Sequence, residues 1–279
     1  MPDDRRTVPP DGPQLGATSG LLAGKVALVS GVGPGLGRDL SLALARAGAD
    51  VVLAARSADT LESVATEVRE LGRDALVVPT DITDPAQCGR LVDACIEHFG
   101  RLEVLVSSAF VQPPFETIEH ASEATFRSAF DVNFFGHVWL AQAAVAPLRA
   151  AAPSAIVFIN TMSTRRTRAN FGVYTASKMA LLGLAKVLAV ELGPDRIRVN
   201  SVHPGYIWGD SVRTYLQAQA DARETSFEDV YQEVAAQTAL HHLPGSDEIA
   251  QAVVFLASEK MSSSITGESI DVNAGQWIR

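Results

Sequence analysis

The stretch Tyr174-Thr175-Ala176-Ser177-Lys178 sets a phenol and an ammonium four residues apart at the head of an apolar run, MALLGLAKVLAVEL. Four residues is about one helical turn, so the two side chains share a face of any helix formed there. A free phenol titrates near about pH 10, and an adjacent ammonium favours the phenolate and lowers that value. Such a pair has the makings of a proton donor and acceptor at working pH. The plain alternative is the polar edge of a buried helix. A second chemical signal is the loop SGVGPGLG, Ser30 to Gly37, between an apolar run and a helical pattern. Helix amino termini receive anions through unpaired N–H groups, and glycines let a phosphate come close to the backbone. The spacing Gly31, Gly35, Gly37 is not the G-x-G-x-x-G fingerprint. Arg38-Asp39 follows Gly37 where a Walker loop needs Lys-Ser/Thr, which disfavours an ATPase.

The elements around these residues alternate. Strands are expected at 26–30, 51–55, 75–79, 102–107, 155–160, 197–202 and 269–272, with helices at 35–48, 58–72, 84–99, 121–150 and from the YTASK stretch to about Leu192. Wholly apolar strands alternating with helices imply an α/β fold, a parallel sheet covered on both faces. No linker divides the chain and no repeat is visible, so one domain over 22–279 is expected, preceded by a loose Pro- and Gly-rich tail over 1–21. The segment 206–243 breaks the rhythm. It is polar, carries Tyr206, Trp208, Tyr215, Phe227 and Tyr231, and follows a strand's carboxyl end, where open α/β sheets bind ligands.

Taken together, SGVGPGLG, DVNFFG (131–136), YTASK (174–178) and HPGYI (203–207), in this order and spacing, resemble the short-chain dehydrogenase/reductase family. The resemblance spans about Leu22 to Gln276. It implies a single doubly wound Rossmann domain with a seven-stranded parallel sheet and a helical substrate lid at about 206–243. It also implies NAD(P)-dependent interconversion of an alcohol and a carbonyl. Tyr174 would be the general acid/base. Lys178 would supply charge and bind the nicotinamide ribose, and Asn133 would hold a water in a proton relay toward the lysine. Counting back thirteen residues from Tyr174, the place of the family's serine holds Thr161, with Ser163 as the reserve candidate. The turn Ser107-Ser108-Ala109-Phe110 stands where the family usually has Asn-Asn-Ala-Gly. A catalytically inactive nucleotide-binding sensor or scaffold is the alternative these two departures keep open. A methyltransferase would share the glycine loop but leaves YTASK unexplained.

The cofactor contacts implied are Gly31, Gly33, Gly35, Leu36, Gly37, Arg56, Asp81, Ile82, Ser108, Ala109, Tyr174, Lys178, Pro204, Gly205 and Ile207. An acid at the end of the second strand would select NAD(H), but Ala55 stands there and Arg56 follows. A guanidinium suits a 2′-phosphate, so NADP(H) is favoured and NAD(H) is the alternative. Candidate pocket walls are Phe110, Met162, Phe171, Tyr206 and Trp208, which point to a fairly hydrophobic ketone, aldehyde or alcohol. Arg165, Arg166 and Arg168 read as a solvated loop, with attraction of an anionic substrate as the alternative.

Bulk properties fit this reading. The formal charge of −9 argues against nucleic acid as a partner. No apolar run of about 18 to 20 residues and no signal-like start are seen, so no membrane partner and a cytoplasmic location are expected. Cys88 and Cys95, two helical turns apart, read as free thiols. No metal site is expected, and His241-His242 are given no site role. The resemblance further implies a homodimer or homotetramer built on the helices at 121–150 and 173–192.

Overall fold

A computed structural model describes residues 20–278. The tail expected over 1–21 lies, except for its last two residues, outside the described residues. Seven parallel strands form one sheet in the order β3-β2-β1-β4-β5-β6-β7. They are β1 (Val26–Ser30), β2 (Asp50–Ala55), β3 (Ala75–Pro79), β4 (Val104–Ser107), β5 (Ser154–Ile159), β6 (Ile197–Pro204) and β7 (Ser269–Val272). Because both faces are covered, the strands are apolar throughout, and alternate residues serve opposite layers. Ala27 and Val29 pack with Leu40 and Ala43 of α1 (Leu36–Arg46) and Leu61 and Val64 of α2 (Ala58–Glu70). Leu28 packs on the other side with Leu91 of α3 (Pro85–Phe99), Leu140 of α5 (Gly136–Ala150) and Leu181 of α6 (Gly172–Leu192).

The helix expected over 121–150 is divided. α4 (Glu123–Phe130) passes through one wide π turn, Asp131–Phe135, into α5. The sequence reading passed over α9 (Ser246–Ala257), whose Ile249, Ala250, Val253 and Val254 complete the core on the α1 side. Its start is marked by Glu248, which accepts from Gly245 N at 2.8 Å. The lid is α7 (Asp210–Arg223) and α8 (Phe227–Ala235), with a small core of its own around Leu216, Val230 and Tyr231. α10 (Glu259–Ser262) leads toward β7.

One composition expectation needs correction. The helical stretch Gly172–Asp195 is long and apolar enough, on those grounds alone, to cross a membrane. Its Val173, Leu181, Ala185 and Ala189 are buried, and the last three belong to the core under the sheet, so its apolarity serves packing.

The strand order reverses between β1 and β4. In open α/β sheets the ligand crevice opens there, beyond the strands' carboxyl ends. The glycine loop leaves β1 on one side of it and the Ser107–Phe110 turn leaves β4 on the other.

Candidate active site

The crevice is built by close backbone approach. Gly31 has φ +82°, and a Cβ there would lie 2.6 Å from Ala109 Cα. A Cβ on Gly37 would lie 2.7 Å from Val32 Cα. These two glycines fold the loop onto itself and onto the β4 turn. Cβ atoms at Gly33 and Gly35 would meet nothing within 4 Å, and no side chain caps the amino terminus of α1. The loop is thus packed at its base and open at its rim, at the amino terminus of α1.

The β4 turn is held by a backbone bond and by His137, which the sequence reading did not single out. Ser108 N donates to Ser30 O at 3.0 Å. His137, fully buried on α5, has Nδ1 2.6 Å from Ser107 Oγ and Nε2 3.0 Å from Ala109 O. A carbonyl only accepts, so Nε2 carries the proton and Nδ1 accepts from Ser107. Burial, and then the charge of Lys178, push the imidazole down to about 3. It therefore stays neutral and acts as a fixed peg for the turn. The missed signal was its spacing, one helical turn after Asn133.

Asn133 sits in the π turn and is buried. Its Oδ1 accepts from Val111 N at 2.8 Å, and Nδ2 donates to Val111 O at 3.0 Å and to Ser177 Oγ at 3.1 Å. These bonds tie the segment after β4 to α6. Ser177 in turn donates to Tyr174 O at 2.8 Å.

Tyr174 and Lys178 lie in the first two turns of α6, as their spacing predicts. The expectation that Lys178 lowers the Tyr174 pKa does not hold. Burial pushes the phenol up to about 12, and the opposing influence is a hydrogen bond with the Thr161 side chain. Lys178 is itself buried, donates from Nζ to Ile159 O at 3.1 Å, and is driven down to about 7 by desolvation. The Lys178 charge is not among the influences that oppose the burial of the phenol.

Thr161 follows β5, and its hydroxyl is the group that meets Tyr174. It also accepts from Ser163 N at 3.2 Å and lies 3.4 Å from Ser163 Oγ. Thr161 therefore stands between Ser163 and the Tyr174 phenol.

With this geometry in place, comparison with known proteins is direct. A family model described as enoyl-(acyl carrier protein) reductase matches residues 31–276. The chain belongs to the short-chain dehydrogenase/reductase family. It is accordingly an NAD(P)-dependent oxidoreductase acting on small alcohols or carbonyl compounds. An uncharacterised oxidoreductase of Methylorubrum extorquens is 35% identical over 91% of this chain and 98% of its own length. A 3-alpha-(or 20-beta)-hydroxysteroid dehydrogenase of Mycobacterium bovis is 35% identical over 92% of this chain and 91% of its own. Carveol dehydrogenase from Mycobacterium avium, solved in complex with NAD, matches with a TM-score of 0.86 at 28% identity, over 92% and 99% of the two chains.

The residues present fit a dinucleotide of this family. The open rim at Gly33, Gly35 and Leu36 suits a pyrophosphate, and Ser108 and Ala109 face it across the crevice from β4. Asp81 is preset in an Asx turn, its Oδ1 accepting from Thr83 N at 2.9 Å and Oγ1 at 2.8 Å. Ile82 is buried against Gly136, where a Cβ would lie 2.6 Å from Ile82 Cδ1. Arg56 is exposed at the end of β2 and makes no hydrogen bond or ion pair among the described residues. Arg38 is engaged by Glu67 and Asp39, which removes it from phosphate contact. Pro204 ends β6, and Gly205 and Ile207 follow it. Gly205 is in contact with Gln276, whose Oε1 accepts from Tyr206 N at 3.3 Å.

The five expected pocket walls are not one group. Phe110 is 63% exposed beside the β4 turn, and Phe171 packs on Phe115 with ring centroids 4.9 Å apart. Met162 is buried beneath the loop after β5. Trp208 packs on the lid core, 4.8 Å from Tyr231 and under the Arg213 guanidinium at 5.0 Å, and lines a cavity within the lid. Its cavity of about 620 Å³ is bounded by lid residues such as Thr214, Gln217 and Phe227. Of the three arginines read as a solvated loop, Arg166 is exposed, whereas the other two are held by protein groups. Arg165 is held at 3.2 Å by Asp271 of β7, and Arg168 donates to the Tyr206 hydroxyl at 2.7 Å. Cys88 and Cys95 are buried free thiols, pushed by burial up to about 11 and about 12.

Proposed function

We propose that this chain interconverts a fairly hydrophobic ketone or aldehyde and its alcohol by hydride transfer, with Tyr174 as general acid/base. The observation that carries this reading is the pairing of the Tyr174 phenol with the Thr161 hydroxyl beyond β5, beside an open dinucleotide cradle. A bound nicotinamide supplies or accepts the hydride. Thr161 donates to the carbonyl oxygen and orients it, and Tyr174, protonated at neutral pH, delivers the proton to the same oxygen. Lys178 holds a labile proton behind Tyr174. The apolar Phe110 and Phe171, and relatives named for hydroxysteroids and carveol, support an alicyclic or otherwise apolar substrate. Arg56, whose side chain has no partner among the described residues, with Ala55 in place of an acid, supports NADP(H) over NAD(H). We further propose self-association through the exposed apolar face of α6.

The test is titration with NADPH and NADH, followed by turnover of a ketone panel by wild type and Tyr174→Phe. NADPH is expected to bind more tightly. The Phe variant should keep cofactor affinity and lose about a hundredfold or more in kcat. Full activity of that variant would sink the mechanism, and a wild type that binds cofactor but turns over no ketone would favour an inactive sensor or scaffold.

A further inference from the structure

A cavity of about 280 Å³ lies between the loop that joins β5 to α6 and the lid. It is lined by Arg166 and Arg168 of that loop, Tyr206 after β6, Tyr215 and Arg223 of α7, and Glu233 of α8. The chain as a whole carries −9, yet this concavity collects three guanidiniums against one carboxylate. Glu233 is already taken by Arg223 Nη1 at 2.7 Å, and Arg223 Nη2 donates to Gln219 at 2.9 Å. Arg168 donates to the Tyr206 hydroxyl and covers its ring at 5.3 Å, which fixes the guanidinium at the wall. The Arg166 side chain has no hydrogen bond or ion pair among the described residues, and its backbone N donates to Met162 O at 3.0 Å. The Tyr215 phenol is pushed above its ordinary value, first by burial and then by Tyr206, so it remains a donor at neutral pH. Fixed and free guanidiniums beside phenol donors form the donor set that recognises a carboxylate.

Position ties this cavity to the chemistry. Arg166 and Arg168 fall in the loop between Thr161 and Tyr174, and the opposite wall is the lid. Arg165 is drawn to β7, so the loop's remaining two arginines serve the lid side.

Building on the assignment of Tyr174 as the reacting group, we propose that the substrate carries a carboxylate remote from its carbonyl, bound in this cavity by Arg166 and Arg168 with Tyr206 and Tyr215. The carbonyl lies at Thr161 and Tyr174, an apolar body runs beneath the lid, and the anionic end reaches the arginines. The substrate class is a hydrophobic oxo-acid or hydroxy-acid.

The test uses methyl-keto acids of increasing length, from 4-oxopentanoate to 10-oxoundecanoate, each beside its methyl ester, with wild type, Arg166→Ala, Arg168→Gln and the double variant. The best acid should exceed its ester by about tenfold or more in kcat/KM, carried by KM, since a charge-assisted hydrogen bond supplies that much. The preference, taken as the ratio of acid to ester, should fall in each single variant and vanish in the double. Arg213→Ala, on the outer lid, should leave it intact. Equal rates for acid and ester, or a preference that survives the double variant, overturn the proposal while leaving the catalytic assignment standing. If no ketone is turned over, the catalytic assignment fails, and calorimetric titration of the same acids decides: binding lost in Arg166→Ala supports the anionic site, and no binding or retained binding overturns it. Inorganic phosphate binding as tightly as the best acid also overturns it, because the cavity would then be a general anion site.

Discussion

At the scale of single residues, the hydroxyl that meets Tyr174 decides between two candidates. Thr161 is hydrogen-bonded to the phenol, and among the described residues Ser163 hydrogen-bonds to Thr161. Thr161→Ser should therefore keep turnover within a few fold, because the donor remains. Thr161→Ala should lose on the order of a hundredfold in kcat, as for an oxyanion donor. Ser163→Ala should cost less than about tenfold; a larger loss there than in Thr161→Ala would exchange their roles. Lys178 makes a second prediction, in stability. Burial lowers its folded pKa from 10.5 to about 7. Between those values the unfolded chain binds a proton that the folded chain does not, so this group's contribution to stability rises with pH across the window. Below it both states are protonated and the full cost of burying the charge is present. From about pH 6.5 to about pH 9, wild type should gain on the order of 2 kcal/mol relative to Lys178→Met, read as the difference of urea midpoints. A difference that does not move with pH would mean that the buried amine keeps its proton.

At the scale of elements, the glycine loop separates folding from binding. Gly31 combines positive φ with backbone contact to the β4 turn, so Gly31→Ala should cost about 2–3 kcal/mol of stability or more, measured by denaturant unfolding. Gly33 faces open space, so Gly33→Ala should unfold like wild type yet bind NADPH several-fold less tightly. Equal loss of stability in both would contradict the division into a packed base and an open rim. The loop, the seven strands and the YTASK helix were legible because periodicity and glycine placement are local properties. The π turn at Asp131–Phe135 was not, since one wide turn leaves the apolar pattern of 121–150 reading as a continuous helix. The His137 peg was hidden for a related reason. Its partners, Ser107 and Ala109, are about 30 residues away in the chain and meet it only across the sheet. The fates of Tyr174 and Lys178 depend on burial, which spacing alone does not convey, and so the sign of the Tyr174 shift was read wrongly.

At the scale of the whole molecule, α6 presents a problem of solvation that points to self-association. Its inner face is buried beneath the sheet through Leu181, Ala185 and Ala189. Its outer face carries Met179, Val187 and Val190 at 48%, 53% and 78% exposure, with exposed Gly183 between them. The spacings of four, four and three residues set these on one stripe, and a glycine in such a stripe permits close helix approach. A stripe related to itself by a two-fold axis is self-complementary, which is the geometry of a closed dimer. Wild type should therefore sediment as a dimer or larger closed assembly at micromolar concentration. Val187→Glu combined with Val190→Glu should shift it to monomer, because two carboxylates per chain would be buried against their own copies without partners. Both positions are exposed in the single chain, so the variant should keep its fold and its far-UV circular dichroism. A wild-type monomer, or a double variant that still assembles, would show that this face of α6 is not the interface.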